Sequence, residues 1–518
     1  MTIDTPAWAR DAVFYQIFPD RFARSERVPK PGPLEPWDSP PTRHGFKGGD
    51  LLGIAEHLDD LADLGITALY LNPIFQSTAN HRYHTYDYYA IDPLLGGDAA
   101  LRELIDESHR RGIRVTLDGV FNHASRGFWP FSHVLENGAE SPYRDWFHVD
   151  ADRLRAGRGL RAYPTREDME EMFEAAGGDH SGRFSLEHLG YRAWWDHPAL
   201  PKLNVSNPEC RAYLFGAIEH WTRFGIDGWR LDVPEEIEDG EFWPEFRRRV
   251  RAIDPESYIV GEIWHAAHDY LRGDRFDAVM NYPLLEALLG FAAGAHLDMR
   301  EVEAQWELGE NVRPLDGAAL GRRIAEILDT YAPAITEVQL NLLDSHDTPR
   351  FLTMAGDDVA SLRIAILLQM TLPGAPCLYY GDEIGIAGHH DPDCRRSYPW
   401  DRSTWNLPLR AFVKGAIGLR HAHAALRAGG TYRTVGAAGL AHAHVRADDR
   451  DLLVVCVNAA EEPCRVMLDL PEARGRTLSA LTWDGFAAGA GVHAEVGADG
   501  AAEVGVPPRD GLVLRATA

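Results

Sequence analysis

The feature that most constrains this chain is a repeated pairing of a short apolar run with an amphipathic helical stretch. The runs are "VFYQIF" (13–18), "ALYLNP" (68–73), "RVTLDGVF" (114–121), "GWRLDV" (228–233), "YIVGEI" (258–263), "DAVMNY" (277–282), "VQLNLLDS" (338–345) and "PCLYYGDE" (376–383). Most lack polar alternation, as expected of parallel strands covered on both faces. Between them, "DLLGIAEHLDDLADLG" places Leu51, Ile54, Leu58, Leu61 and Leu64 on one stripe and stops at Gly65. "DAALRELIDESHRRG" opens on Asp98 as an N-cap and closes at Gly112. Eight such units imply an α/β fold, a (β/α)8 TIM barrel.

The pattern is interrupted twice. Between "FNH" (121–123) and "LPKLN" (200–204) no period is visible and aromatics are frequent. That is a loop-rich domain inserted after strand 3, where binding surfaces are commonly built. Beyond about residue 425, segments such as "AHAHVRA" and "DLLVVCVNA" alternate between turns, which predicts a C-terminal antiparallel β domain. The expected boundaries are 1–123 and 205–424 for the barrel, 124–204 for the insertion and 425–518 for the β domain.

A net charge of −26 argues against nucleic acid or an anionic membrane as partner. No apolar run is long enough to span a bilayer. The N-terminal segment has no secretory pattern, and the five cysteines are scattered without CxxC spacing. A cytoplasmic protein with reduced thiols is the expectation. Oligomeric state is not readable.

In such a barrel, chemistry sits at the C-terminal ends of the strands. Those ends carry Asp118, Asn122, His123, Arg230, Asp232, Glu262, His346 and Asp347. Singly, each has an ordinary explanation: a turn cap, a packed histidine, a structural ion pair. Their recurrence at one end of successive strands points to a site. Arg230 and Asp232 share one face of a strand, because side chains alternate. An arginine so placed would hold Asp232 ionised. Carboxylates without a Cys/His cluster suit glycoside hydrolysis, with one carboxylate attacking and another acting as acid and base.

Together "DGVFNH", "GWRLDVPEE", "GEIW" and "LLDSHD" resemble the four signature blocks of the α-amylase superfamily, in order and on the matching strands. The resemblance implies Asp232 as nucleophile, Glu262 as general acid/base and Asp347 as the carboxylate that holds and distorts the sugar. It implies contacts to that sugar from Arg230, His123 and His346, with Tyr83 stacked on it. "LPKLN", "FDAVMNYP" and "DPDCRRSYPW" are similar to blocks of the neopullulanase, cyclomaltodextrinase and maltogenic amylase group, with Asp391 and Arg395 matching residues that hold the next sugar. The implied activity is retaining hydrolysis of α-1,4 bonds in maltodextrins, pullulan or cyclodextrins, with α-1,6 cleavage left open and transglycosylation expected. A superfamily transferase or isomerase of the trehalose or sucrose type is the alternative enzyme. A non-catalytic glucan-binding protein is the alternative class, disfavoured because all three carboxylates are present.

Four departures stand out. The N-terminal β domain usual in that group is not seen ahead of the first strand. The loop after that strand reads "ARSERVPK", without the Asn and Asp oxygens that bind calcium in relatives, so no metal ligand is assigned and calcium remains open through Asn122 alone. His84 stands where an acidic residue is common. Glu235 replaces a usual Asn, and Glu235 and Glu236 either line the acceptor side or start a helix.

Overall fold

The computed structural model describes residues 3–176 and 182–517. All eight apolar runs form strands: β1 (Phe14–Ile17), β2 (Ala68–Leu71), β3 (Arg114–Gly119), β4 (Gly228–Leu231), β5 (Tyr258–Gly261), β6 (Ala278–Val279), β7 (Leu340–Leu342) and β8 (Ala375–Tyr379). They pair in parallel in the order β6-β5-β4-β3-β2-β1-β8-β7. A parallel bridge between Met280 and Leu340 links β6 to β7 and closes the barrel. Their side chains are buried almost throughout, which is why the sequence shows continuous apolar runs.

Two helix expectations change. The stripe from Leu51 to Leu64 is two helices, Leu51–Glu56 and Leu58–Leu64, because His57 leaves the helical region at φ −112°, ψ 10°. Asp50 caps the first by accepting from Gly53 N, and Gly65 ends the second at φ 99°. Helix Gly97–Arg110 starts one residue before Asp98. Asp98 lies in its first turn and instead accepts from Ile91 N at 3.1 Å.

The insertion is less loop-like than its sequence suggests. It contains short helices at Trp129–Asn137, Ala151–Arg155, Arg166–Ala176 and Arg183–Leu189. Isolated antiparallel bridges, His123 with Lys202 and Phe147 with Leu203, tie it back to the barrel.

The C-terminal part has eight antiparallel strands: β9 (Thr431–Ala438), β10 (Ala441–Ala447), β11 (Leu452–Asn458), β12 (Cys464–Asp469), β13 (Thr477–Leu481), β14 (His493–Glu495), β15 (Ala501–Val506) and β16 (Asp510–Thr517). Six form the sheet β9-β10-β11-β16-β13-β14, and β12 pairs with β15. Val454, Cys456, Val466, Leu468, Leu512 and Leu514 belong to the core between them. The alternate face of β10 turns toward the barrel, where Arg446 donates to Thr371 O at 2.6 Å and His442 meets Gly317 O at 3.2 Å.

Candidate active site

Register builds the site. Asp118 on β3 is directly opposite Arg230 on β4. Asp232 N donates to Gly119 O at 3.1 Å, and Glu262 N donates to Leu231 O at 2.9 Å. Each carboxylate therefore follows the last ladder bond of its strand, at the same end of the barrel.

Arg230 is fully buried and serves three carboxylates. Its Nη1 lies 2.9 Å from Asp118 Oδ1 and 3.2 Å from Asp232 Oδ1, while Nη2 lies 2.9 Å from Glu262 Oε2. This differs from an exclusive pair with Asp232. One guanidinium cannot neutralise three carboxylates, so the three acids compete for it and their titrations are linked. Burial is the largest influence on each acid: it pushes Asp118 up to about 6 against the pull of Arg230. Burial and then the charge of Glu262 raise Asp232, so Arg230 only opposes that rise and does not hold Asp232 low, as its place on the strand had suggested. Burial also raises Glu262, again opposed by Arg230. Burial alone would disfavour the charge on Arg230, but Asp118 and Glu262 outweigh it and keep the guanidinium protonated.

Directly after Asp232, Val233 has φ 35°, ψ 54°. A β-branched residue in the left-handed region costs of order 1–3 kcal/mol. The conformation aims Val233 N–H at Glu262 Oε2, 3.2 Å away. Backbone strain is thus stored where the two carboxylates meet.

Hydrogen bonds and ion pairs among Tyr83, His346, Asp347 and Arg395 hold the opposite side. Tyr83 Oη lies 2.8 Å from Asp118 and 2.6 Å from His346 Nε2, and Asp118 also accepts from Tyr70 Oη at 2.9 Å. Gln16 Nε2 fixes the other ring nitrogen of His346 at 3.0 Å. His346 Nε2 is 3.1 Å from Asp347, whose other oxygen is 3.3 Å from Arg395. Arg395 also pairs with Asp391 at 2.9 Å and donates to the His346 carbonyl at 2.8 Å. His123 stacks on Trp194, with centroids 4.9 Å apart, and burial pushes it down to about 3, which leaves it neutral. His123 Nε2 and Asp232 Oδ2 are buried without a protein partner. Buried polar atoms need partners, so both are open to a ligand.

Asp118, Tyr83, Arg230, Asp232, Glu262, His346, Asp347, Asp391 and Arg395 therefore form one connected network. Glu235 and Glu236 lie outside it, on the turn Pro234–Glu236. Glu236 pairs with Lys202 at 3.2 Å and Glu235 with His265 at 3.3 Å. Lys202, from "LPKLN", was not singled out in the sequence; its partner is too distant along the chain to be read there. Tyr70, Gln16 and the stacked pair Trp264 and Tyr282, 3.6 Å between centroids, were missed for the same reason. His84 is largely buried, and that burial lowers it to about 4, so it is neutral.

The loop after β1 does not fit a divalent metal. The Asp50 carboxylate, which closes that loop, accepts from Ser25 N at 3.0 Å and Gly53 N at 2.7 Å and is paired with Lys30 Nζ at 3.0 Å. Asn122 Nδ2 contacts His123 Nδ1 at 3.3 Å, while Asn122 Oδ1 is buried without a protein partner. Among the described residues no group of three or more His, Cys, Asp or Glu side chains is arranged to hold a metal ion.

A barrel with acids at these strand ends defines a glycoside hydrolase, and comparison with known proteins agrees. Residues 16–414 match the family model "Alpha amylase, catalytic domain". The chain is 41% identical over 487 residues to a cyclomaltodextrinase of Geobacillus thermopakistaniensis, covering 93% of this chain and 74% of that protein. It is 40% identical over 514 residues to neopullulanase 2 of Thermoactinomyces vulgaris, covering 98% and 78%. The solved structure of the native form of the Nostoc punctiforme debranching enzyme matches with a TM-score of 0.84 at 41% identity, covering 99% of this chain and 100% of that one. The chain belongs to the α-amylase family of glycoside hydrolases.

Proposed function

We propose that the protein is a retaining α-glucan hydrolase that cleaves α-1,4 bonds, and α-1,6 bonds where the acceptor side admits them. The observation that carries this reading is Arg230 holding Asp118, Asp232 and Glu262 together at the mouth of the barrel. The names of the relatives supply the substrate class, maltodextrins, cyclodextrins and pullulan.

In this reading Glu262 protonates the departing glycosidic oxygen while Asp232 Oδ2 attacks the anomeric carbon, giving a covalent glycosyl-enzyme. Glu262, now ionised, takes a proton from water, which attacks and releases the sugar. A sugar hydroxyl in place of water gives transglycosylation. Asp347, held by Arg395 and His346, grips the sugar hydroxyls, Tyr83 stacks on the ring face, and His123 donates to its rim. Asp391 and Arg395 extend the grip by one sugar, and Glu235 and Glu236 edge the acceptor side. We place the enzyme in the cytoplasm on its five unpaired thiols. Among the described residues no helix is long and apolar enough to cross a membrane.

The test is a product time course on maltotriose, pullulan and β-cyclodextrin side by side. Panose from pullulan with maltose and glucose from the others supports the full reading. Cleavage of maltotriose alone narrows it to short linear dextrins. No cleavage of any of the three overturns it in favour of a transferase or isomerase.

A further inference from the structure

The chain between β1 and β2 makes a long excursion that is pinned by buried charges. Lys47 is fully buried, with Nζ 2.6 Å from Pro36 O, 2.7 Å from Ser39 O and 2.6 Å from Ser39 Oγ, and with Glu35 3.6 Å away. Lys30 Nζ reaches Asp50 Oδ2 at 3.0 Å and Leu94 O at 2.5 Å, with its side chain 9% exposed. The Lys47 ammonium is held by two carbonyls and a hydroxyl with a carboxylate further off, and the Lys30 ammonium by one carboxylate and one carbonyl, oxygen donors of the kind a hard cation prefers.

The surrounding charges balance. Asp20 accepts from Lys47 N at 2.8 Å and Gly48 N at 3.1 Å and pairs with Arg21 at 3.1 Å. Arg82 pairs with Asp92 at 2.8 Å, and Arg21 lies 3.7 Å from Glu35. Lys30, Lys47, Arg21 and Arg82 thus face Asp20, Glu35, Asp50 and Asp92, four cations against four carboxylates. A divalent ion added here would leave buried positive charge uncompensated, which is strongly unfavourable. The network also reaches the active site. Asn80 donates to Arg43 O at 3.0 Å and Gly45 O at 2.8 Å, and Arg82 donates to Asn80 O at 2.7 Å. That turn leads directly into Tyr83.

We propose that the ammonium groups of Lys30 and Lys47 do the work of a structural metal ion, fixing the loop after β1 and the Asn80–Arg82 turn with cations carried by the chain itself. The inference concerns stability and is independent of the substrate.

Thermal unfolding of the full chain tests it. The wild-type Tm is expected to be the same in EDTA and in millimolar calcium chloride. Lys30→Met strands the Asp50 carboxylate and lowers Tm by roughly 5 °C or more. Lys47→Met removes the other ammonium and is expected to lower Tm by a similar amount. The proposal is overturned if the wild-type Tm falls in EDTA and recovers with calcium. A Lys30→Met Tm equal to wild type overturns it as well. So does a Lys47→Met Tm equal to wild type.

Discussion

Tyr83 lies face to face with His346, ring centroids 5.2 Å apart and planes 5° from parallel, while its hydroxyl links His346 to Asp118. The ring offers a stacking surface, and the hydroxyl fixes its tilt. Tyr83→Phe keeps the ring and removes the hydroxyl's three hydrogen bonds, to Asp118, His346 and Asn72. The bond to the Asp118 carboxylate alone is worth about 1.5–3 kcal/mol, burial keeping His346 a neutral partner, so kcat/KM falls roughly ten- to a hundredfold. Tyr83→Ala additionally raises KM. Steady-state kinetics on maltotriose decides it, and a Tyr83→Phe enzyme equal to wild type would show the hydroxyl to be idle.

Arg230 is the common partner of three buried acids. Arg230→Ala leaves them facing one another, which costs about 3–5 kcal/mol of stability and lowers kcat/KM a hundred- to thousandfold or more. Arg230→Lys does not restore activity, because one ammonium cannot present two nitrogens to Asp232 and Glu262 together. Melting curves and kinetics check both variants; a lysine enzyme within about tenfold of wild type would refute the need for a fork.

Much of this site was legible because parallel strands buried on both faces read as unbroken apolar runs, and a polar residue ending such a run is conspicuous. Asp118, Arg230, Asp232, Glu262, His346 and Asp347 all stood out that way. Their sharing did not. That Arg230 meets Asp118 on β3 and Glu262 just beyond β5, as well as Asp232 just beyond β4, depends on strand register, which alternation within one run cannot supply. Lys202 meeting Glu236 and Lys30 meeting Asp50 were hidden for the same reason, as both are contacts between distant segments. The split helix at His57 and the displaced start at Gly97 show local stripes outlasting the backbone they suggest. The helices of the insertion carry too few turns to impose a visible period.

Glu286 lies on the helix Tyr282–Ala292, 7% exposed. Burial raises its carboxyl from 4.5 to about 7, with Arg323 opposing. The folded state therefore holds this proton more tightly than the unfolded chain. The stabilisation is complete below pH 4.5 and is lost as pH rises through about 7. Glu286→Gln has no proton to lose, so its Tm declines less between pH 5 and pH 8 than that of the wild type, with up to about 3 kcal/mol at stake. Parallel Tm profiles for the two proteins would contradict the assignment.

The central claim is that Asp232 becomes covalently bonded to the sugar. Glu262→Gln removes the acid and base that the natural leaving group and the deglycosylating water both require, while a glycosyl fluoride needs no protonation to depart. Incubating this variant with an α-maltosyl fluoride, quenching in acid and mapping peptides by mass spectrometry reads the bond directly. The account predicts a maltosyl adduct on the peptide containing Asp232, absent when Asp232→Ala is added. An adduct on Asp118 or Asp347, or fluoride release with inversion and no adduct, would contradict it.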